Sequence, residues 1–165
     1  MKFFTPELYV RFNSPDDDEA DRADSEWEDA IRRYEADLES FRDQMPPRVR
    51  ELADNLCLHD MQIMVVQHEP SMGIVSVKQK EKLVVLFYIL WGHMRKLSAP
   101  EDWPFSKAHV HWMYDEVDLD RQSPKHFWHR ILLSDGSEVD VPFVDVAIHQ
   151  VSLLSAEAEI VKEPA

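Results

Sequence analysis

"KLVVLFYILW" occupies residues 82–91, and its reading decides the fold. The run is about half the length a membrane-spanning helix needs, roughly 20 residues. It is rich in β-branched and aromatic side chains and apolar on both of its alternating faces. Such a run reads as a strand set mid-sheet, or beneath helices on one side and a loop or partner on the other. Strand-like segments lie on both sides of it. "MQIMVVQH" (61–68) and "IVSVKQ" (74–79) precede it; "AHVHWMYDEV" (108–117), "HFWHRILLS" (126–134) and "EVDVPFVDVAI" (138–148) follow. The links "EPSMG", "KEK" and "DGS" have the length and composition of hairpin turns, with Asp135-Gly136 the strongest turn signal in the chain. Pro142 has no N–H to give a ladder, so the last strand is expected at an edge or a bulge. "GHMRKLSAPEDWPFSKA" (92–108) reads as a loop, long enough for a lid, an interface or a crossover.

Further towards the N-terminus the pattern is helical. "TPEL" offers Thr5 as an N-cap with Pro6 at the first helical position, sufficient for a short helix to about Phe12. "NSPDDDEAD" repeats the device with Ser14 and Pro15, and places acids in the first turn against the positive end of the helix dipole. Trp27, Ile31, Tyr34, Leu38, Phe41 and Met45 then recur at helical spacing, one stripe on a helix of about thirty residues. Pro46-Pro47 breaks that helix. Val49, Leu52 and Leu56 carry the spacing on, so a shorter helix is expected from Pro47 to about Leu58. The expected fold class is α+β: a helical arm over about 1–58, packed on a roughly six-stranded antiparallel meander over about 59–154. Together these form one domain, with a flexible tail at 155–165. The three glycines leave no phosphate-cradling loop, dinucleotide fingerprint or nucleophile elbow.

Composition narrows the function. The chain has 165 residues, one cysteine (Cys57) and a formal net charge of −14. A lone cysteine rules out an intrachain disulfide framework and fits a reducing cytoplasm. The acidic balance argues against nucleic acid as a partner, because phosphate binding rests on Lys and Arg. No signal peptide or membrane span is expected. From Ser14 to Gln44 thirteen Asp or Glu stand against four Arg, net −9. This stretch is either a solvated helix face or a surface presenting carboxylates to a basic protein.

The opening "KFFTPELYVRFNSPDDDEAD", followed by "EWEDAIRRYEADL" and later "LHD", resembles the start of a group of bacterial cytoplasmic proteins of uncharacterised function. The resemblance covers about the first sixty residues, carries only helix caps and an amphipathic stripe, and implies no activity.

Candidate site residues fall into two sets. In "HVHWMYDE" (109–116), strand alternation would put His109, His111, Met113 and Asp115 on one face, with the two imidazoles about 6–7 Å apart. That spacing suits a shared ion, and His129 or Asp115 would complete the ligand set. Together with Glu116 the pattern looks like the first metal motif of the cupins, but the flanking glycines and the second motif are missing. The wet or interface-facing side of a sheet is the favoured reading, and no cofactor is expected. The second set is a protein-binding surface on the acidic arm, represented by Asp17, Asp18 and Glu28, with Trp103 in "EDWPF" as an aromatic anchor or a plug for the core. No residue is assigned a catalytic role. The reading carried forward is a non-enzymatic acidic binding or regulatory module, immunity-like in its concrete version, engaging a basic protein and able to form a homodimer. The alternatives are a small-molecule pocket lined by Tyr88, Trp112 and Trp128, or a metal-dependent enzyme using His109 and His111.

Overall fold

Thr5 accepts a hydrogen bond from the Leu8 N–H at 3.2 Å and starts α1 (Pro6–Phe12), with Pro6 in the first turn. In this computed structural model, which describes residues 1–153, the second cap is Asp16 rather than Ser14. The Asp16 carboxylate takes the Glu19 N–H at 3.1 Å and opens α2 (Asp17–Phe41). Ser14 instead accepts from the Asp16 N–H at 3.2 Å, so it holds the turn that presents the cap. A 3-10 turn over Arg42–Gln44 ends α2, and α3 (Pro47–Asn55) begins at the second of the two prolines. The tail expected at 155–165 lies outside the described residues.

Among the described residues seven strands follow: β1 (Gln62–Glu69), β2 (Met72–Gln79), β3 (Lys82–Leu90), β4 (Arg95–Leu97), β5 (Trp112–Leu119), β6 (Phe127–Leu133) and β7 (Glu138–Ser152). All pairings are antiparallel, in the order β1-β2-β3-β7-β6-β5, with the short β4 continuing the line of β3 beside β7. The α+β class holds, but the strand order is not one meander. The loop after β4 carries the chain across to the far edge. The three strands β5, β6 and β7 then return, so that β7 closes against β3. The physical reason lies in β3 itself, whose two apolar faces and full ladder demand a neighbour on each side. Pro142 therefore sits in an interior strand. Its missing donor falls where pairing passes from β3 to β4, beside a bulge that pairs Asp145 with Ile89 and Phe143 with Leu90, leaving Val144 over.

The sheet curls. Its two edge strands meet at one end, where Ile63 N–H donates to the Val110 carbonyl at 2.8 Å and Trp112 N–H to the Met61 carbonyl at 2.9 Å. The main core fills the inner face with Val75, Val77, Val84, Leu86, Val139 and Val141, among others. Leu38 and Phe41 of α2, Met45, and Val49 and Leu52 of α3 pack into the same core. A second, smaller core joins Phe3, Phe4 and Leu8 to Ala23, Trp27 and Ala30 of α2, with Tyr114 of β5 against it. Tyr34 touches both cores, and its hydroxyl accepts the Val117 N–H at 2.9 Å, so α2 satisfies part of the β5 edge. Ile31 is 38 % exposed, and Ala30, fully buried, takes its expected place in the stripe. A 3.5-residue spacing drifts around a straight helix, and a small side chain there allows closer approach.

Candidate functional site

The acidic face of α2 is divided by its arginines. On the side facing α1, Arg11 pairs with both Glu19 and Glu26, the latter through two bonds of 2.7 Å. Those pairs hold the carboxyls of Glu19 and Glu26 below the ordinary glutamate value. Further along, Arg32 pairs with Glu28 and Asp29, Arg42 with Glu39 and Asp54, and Lys2 and Arg121 with Asp37. The outward row is different. Asp17, Asp21 and Asp24 follow one another at helical spacing, continue to Glu28, and are all exposed. Among the described residues Asp17, Asp18, Asp21 and Asp24 have no ion-pair partner. Like charges three and four apart destabilise a helix by about 0.2–0.5 kcal/mol per pair. Asp17, in the first turn, is favoured by the helix dipole and Glu28 is paired with Arg32, which leaves Asp21 and Asp24 as the unpaired centre of the row among the described residues.

Trp103 does not stand out beside this row. It is 7 % exposed, stacks on Tyr9 with ring centroids 5.9 Å apart, and donates from Nε1 to the Ser134 carbonyl at 3.2 Å. Of the two roles weighed for it, the plug is the one its surroundings fit. The Asp135-Gly136 turn passes directly beneath the ring. A Cβ on Gly136 would lie 2.4 Å from a Trp103 ring carbon.

The histidines are distributed otherwise than strand alternation implies. β5 starts at Trp112, so His109 and His111 precede it. His109 has φ +52 and is exposed, while His111 bridges Gln62 and donates its N–H to Ser134 Oγ at 2.9 Å. A register shift between Trp112 and Tyr114 then reverses the alternation. Tyr114 turns to the helical arm, whereas Asp115 joins Trp112 and Val117 on the inner side. Among the described residues no group of three or more His, Cys, Asp or Glu is arranged to hold a metal ion.

Asp115 and His129 do meet, in a different company. His129, 0 % exposed, has Nε2 3.0 Å from Asp115 Oδ2 and Nδ1 2.8 Å from the Tyr88 hydroxyl. Trp112 Nε1 donates to Asp115 Oδ1 at 2.9 Å. A carboxylate only accepts, so Nε2 donates to Asp115, and in that tautomer of the neutral imidazole Nδ1 accepts from Tyr88. Burial, and secondarily the Asp115 charge, push the Tyr88 hydroxyl well above the ordinary tyrosine value, which keeps it a donor. The chain Trp112–Asp115–His129–Tyr88 thus satisfies every polar atom it buries. Tyr88 and Trp112, proposed as pocket walls, are packed in the main core; Trp128 stands apart, against Trp91 and beneath Arg95.

Glu116 is the residue the sequence reading left without a role beyond the cupin comparison. It is 1 % exposed, and its carboxylate accepts the backbone N–H groups of Lys2, Phe3 and Phe4 at 2.8, 2.6 and 2.7 Å. That clamp fastens residues 2–4 to β5 and seats Phe3 and Phe4 in the second core. No sequence signal marks it; the structure alone shows Glu116 and Val117 both buried although adjacent in a strand. Such a pair requires that both faces of β5 be covered. Compared with known proteins, the chain matches no family model and no curated protein.

Proposed function

We propose that this chain is a non-enzymatic acidic binding module whose α2 face engages a basic protein. The observation that carries the reading is the row Asp17, Asp21 and Asp24, exposed and without an ion-pair partner among the described residues, while Arg11 and Arg22 serve Glu19 and Glu26. A basic partner would be drawn to the face by its field. An immunity-like or antitoxin-like protein, which neutralises a basic partner through a carboxylate surface, is the concrete version. The small-molecule and metal-dependent alternatives draw less support: Tyr88 and Trp112 are packed within the main core, and Asp115 meets His129 there while His109 is exposed ahead of β5.

The test is affinity capture from a lysate of the source cell, with the full chain and an Asp17→Asn/Asp21→Asn/Asp24→Asn/Glu28→Gln variant as baits. The expected result is a basic protein retained by the unmodified chain at low salt, released as salt rises and not retained by the variant. Failure to recover a basic protein, or equal capture by the variant, refutes the proposal.

A further inference from the structure

The inner face of β3 is filled, but its outer face, Leu83, Val85, Phe87 and Ile89, belongs to neither core. Antiparallel register extends this face across four strands. Ile74 lies opposite Phe87, and Ser76 opposite Val85, at its centre. Met72, Ile89, Val65 and Val151 around them are exposed, Ile89 by 55 %. The helices meet the sheet at β5 and β7. Four strands by four outward residues cover roughly 500 Å² in projection. Seven of those sixteen positions are polar or charged, Ser76 and His149 at the centre among them, so the apolar part is about half of the face, and the whole lies below the roughly 800 Å² per partner of a standard interface.

The two ends of the patch differ in charge. One end row runs Glu69, Met72, Ile89, Asp145; the other runs Gln62, Lys78, Leu83, Val151, with Lys80 and Lys82 in and beside the adjoining turn. Asp145 is 3.7 Å from Arg48, whereas Glu69 is exposed and has no ion-pair partner among the described residues. Two copies placed face to face about a two-fold axis perpendicular to the strands lay the Lys78 end of each over the Glu69 end of the other. An axis along the strands would lay Glu69 over the Asp145 end of the same row, acid over acid. The face is therefore complementary to itself in one orientation.

We infer that the outer face of β1, β2, β3 and β7 pairs with the same face of a second copy, in a sheet-on-sheet dimer joined by Lys78 and Glu69 across the two-fold axis. A face of this size belongs with the small, transient interfaces, so a weak, concentration-dependent dimer is expected.

Sedimentation velocity on the full chain over about 1–300 µM at low salt tests this. The unmodified chain is expected to pass from monomer to dimer as concentration rises, and Ile89→Asp to stay monomeric. Lys78→Glu is expected to weaken the dimer roughly tenfold, and Lys78→Glu/Glu69→Lys to restore it. Thermal unfolding of each variant confirms that it is folded. A monomer across the whole range overturns the inference and leaves the face to residues 154–165 or to another protein. A dimer that survives Ile89→Asp places the contact elsewhere, including the β1 edge, and overturns it equally. Failure of the charge swap to restore the dimer refutes the two-fold arrangement.

Discussion

Replacing Glu116 by alanine should release the first four residues rather than strand their amides. The Glu116 carboxylate takes three backbone N–H groups at 2.6–2.8 Å in a site that is 1 % exposed. If residues 2–4 stayed in place, three buried donors would go unpaired at about 1–3 kcal/mol each, roughly 3–9 kcal/mol in all. Detachment instead exposes Phe3 and Phe4, at about 1.5–3 kcal/mol for each side chain. It also returns backbone freedom of about 1–2 kcal/mol per residue. Release is the smaller loss, so the net destabilisation of Glu116→Ala should be no more than about 2 kcal/mol. The Phe3 and Phe4 amides should change from slow to fast hydrogen exchange, while the inner strands β3 and β7 remain protected. Glu116→Gln keeps an acceptor for Phe3 and Phe4 but turns an NH₂ group towards the Lys2 N–H. It should cost about 1–2 kcal/mol with the segment still docked. Urea unfolding with residue-resolved exchange reads both variants. Unchanged stability in Glu116→Ala, with protected amides at Phe3 and Phe4, would refute the clamp.

Three further expectations follow from other sites. Gly136→Ala must place a Cβ 2.4 Å from the Trp103 ring at φ +79, so it should lose about 2–4 kcal/mol in a urea titration and shift tryptophan emission to the red; a silent substitution would show that the ring does not seat on the turn. Tyr88→Phe leaves His129 Nδ1 without its donor and should cost about 1–2 kcal/mol in the same assay, with no change in inner-strand exchange order; a stabilised variant would contradict the satisfied chain. Burial raises the hydroxyls of Tyr34 and Tyr88 above the ordinary value of 10.0, so the folded state holds protons that the unfolded chain gives up. Their contribution is complete below pH 10 and lost as pH rises beyond it; urea midpoints measured from pH 8 upward should fall above pH 10, less steeply in Tyr88→Phe. A flat midpoint in both proteins would count against this.

Much of the fold could be read without coordinates, because it rests on local chemistry. Thr5 and Pro6, the acids at the head of α2, the Pro46-Pro47 break and the Asp135-Gly136 turn each act within a few residues of themselves, and their elements appear where those signals stand. The two-faced apolar run at 82–91 likewise foretold a strand in mid-sheet, with one face covered by the core and the other left for something else. The carboxylate row on α2 was legible for the same reason, since helical spacing alone sets which side chains share a face.

What tertiary structure alone decided was everything that depends on register and on partners distant in sequence. A single extra residue in a ladder reverses every side chain beyond it. The shift between Trp112 and Tyr114 therefore took Asp115 from the supposed company of His109 and His111 and gave it to His129, Tyr88 and Trp112. No periodicity records such a shift. Nor does any local pattern tell that β7 returns between β3 and β6, that a glutamate at 116 fastens amides at 2–4, or that Lys78 and Glu69 stand at opposite ends of one apolar face. Those placements arise only when the strands are paired, because the free energy that selects them is shared among residues tens of positions apart.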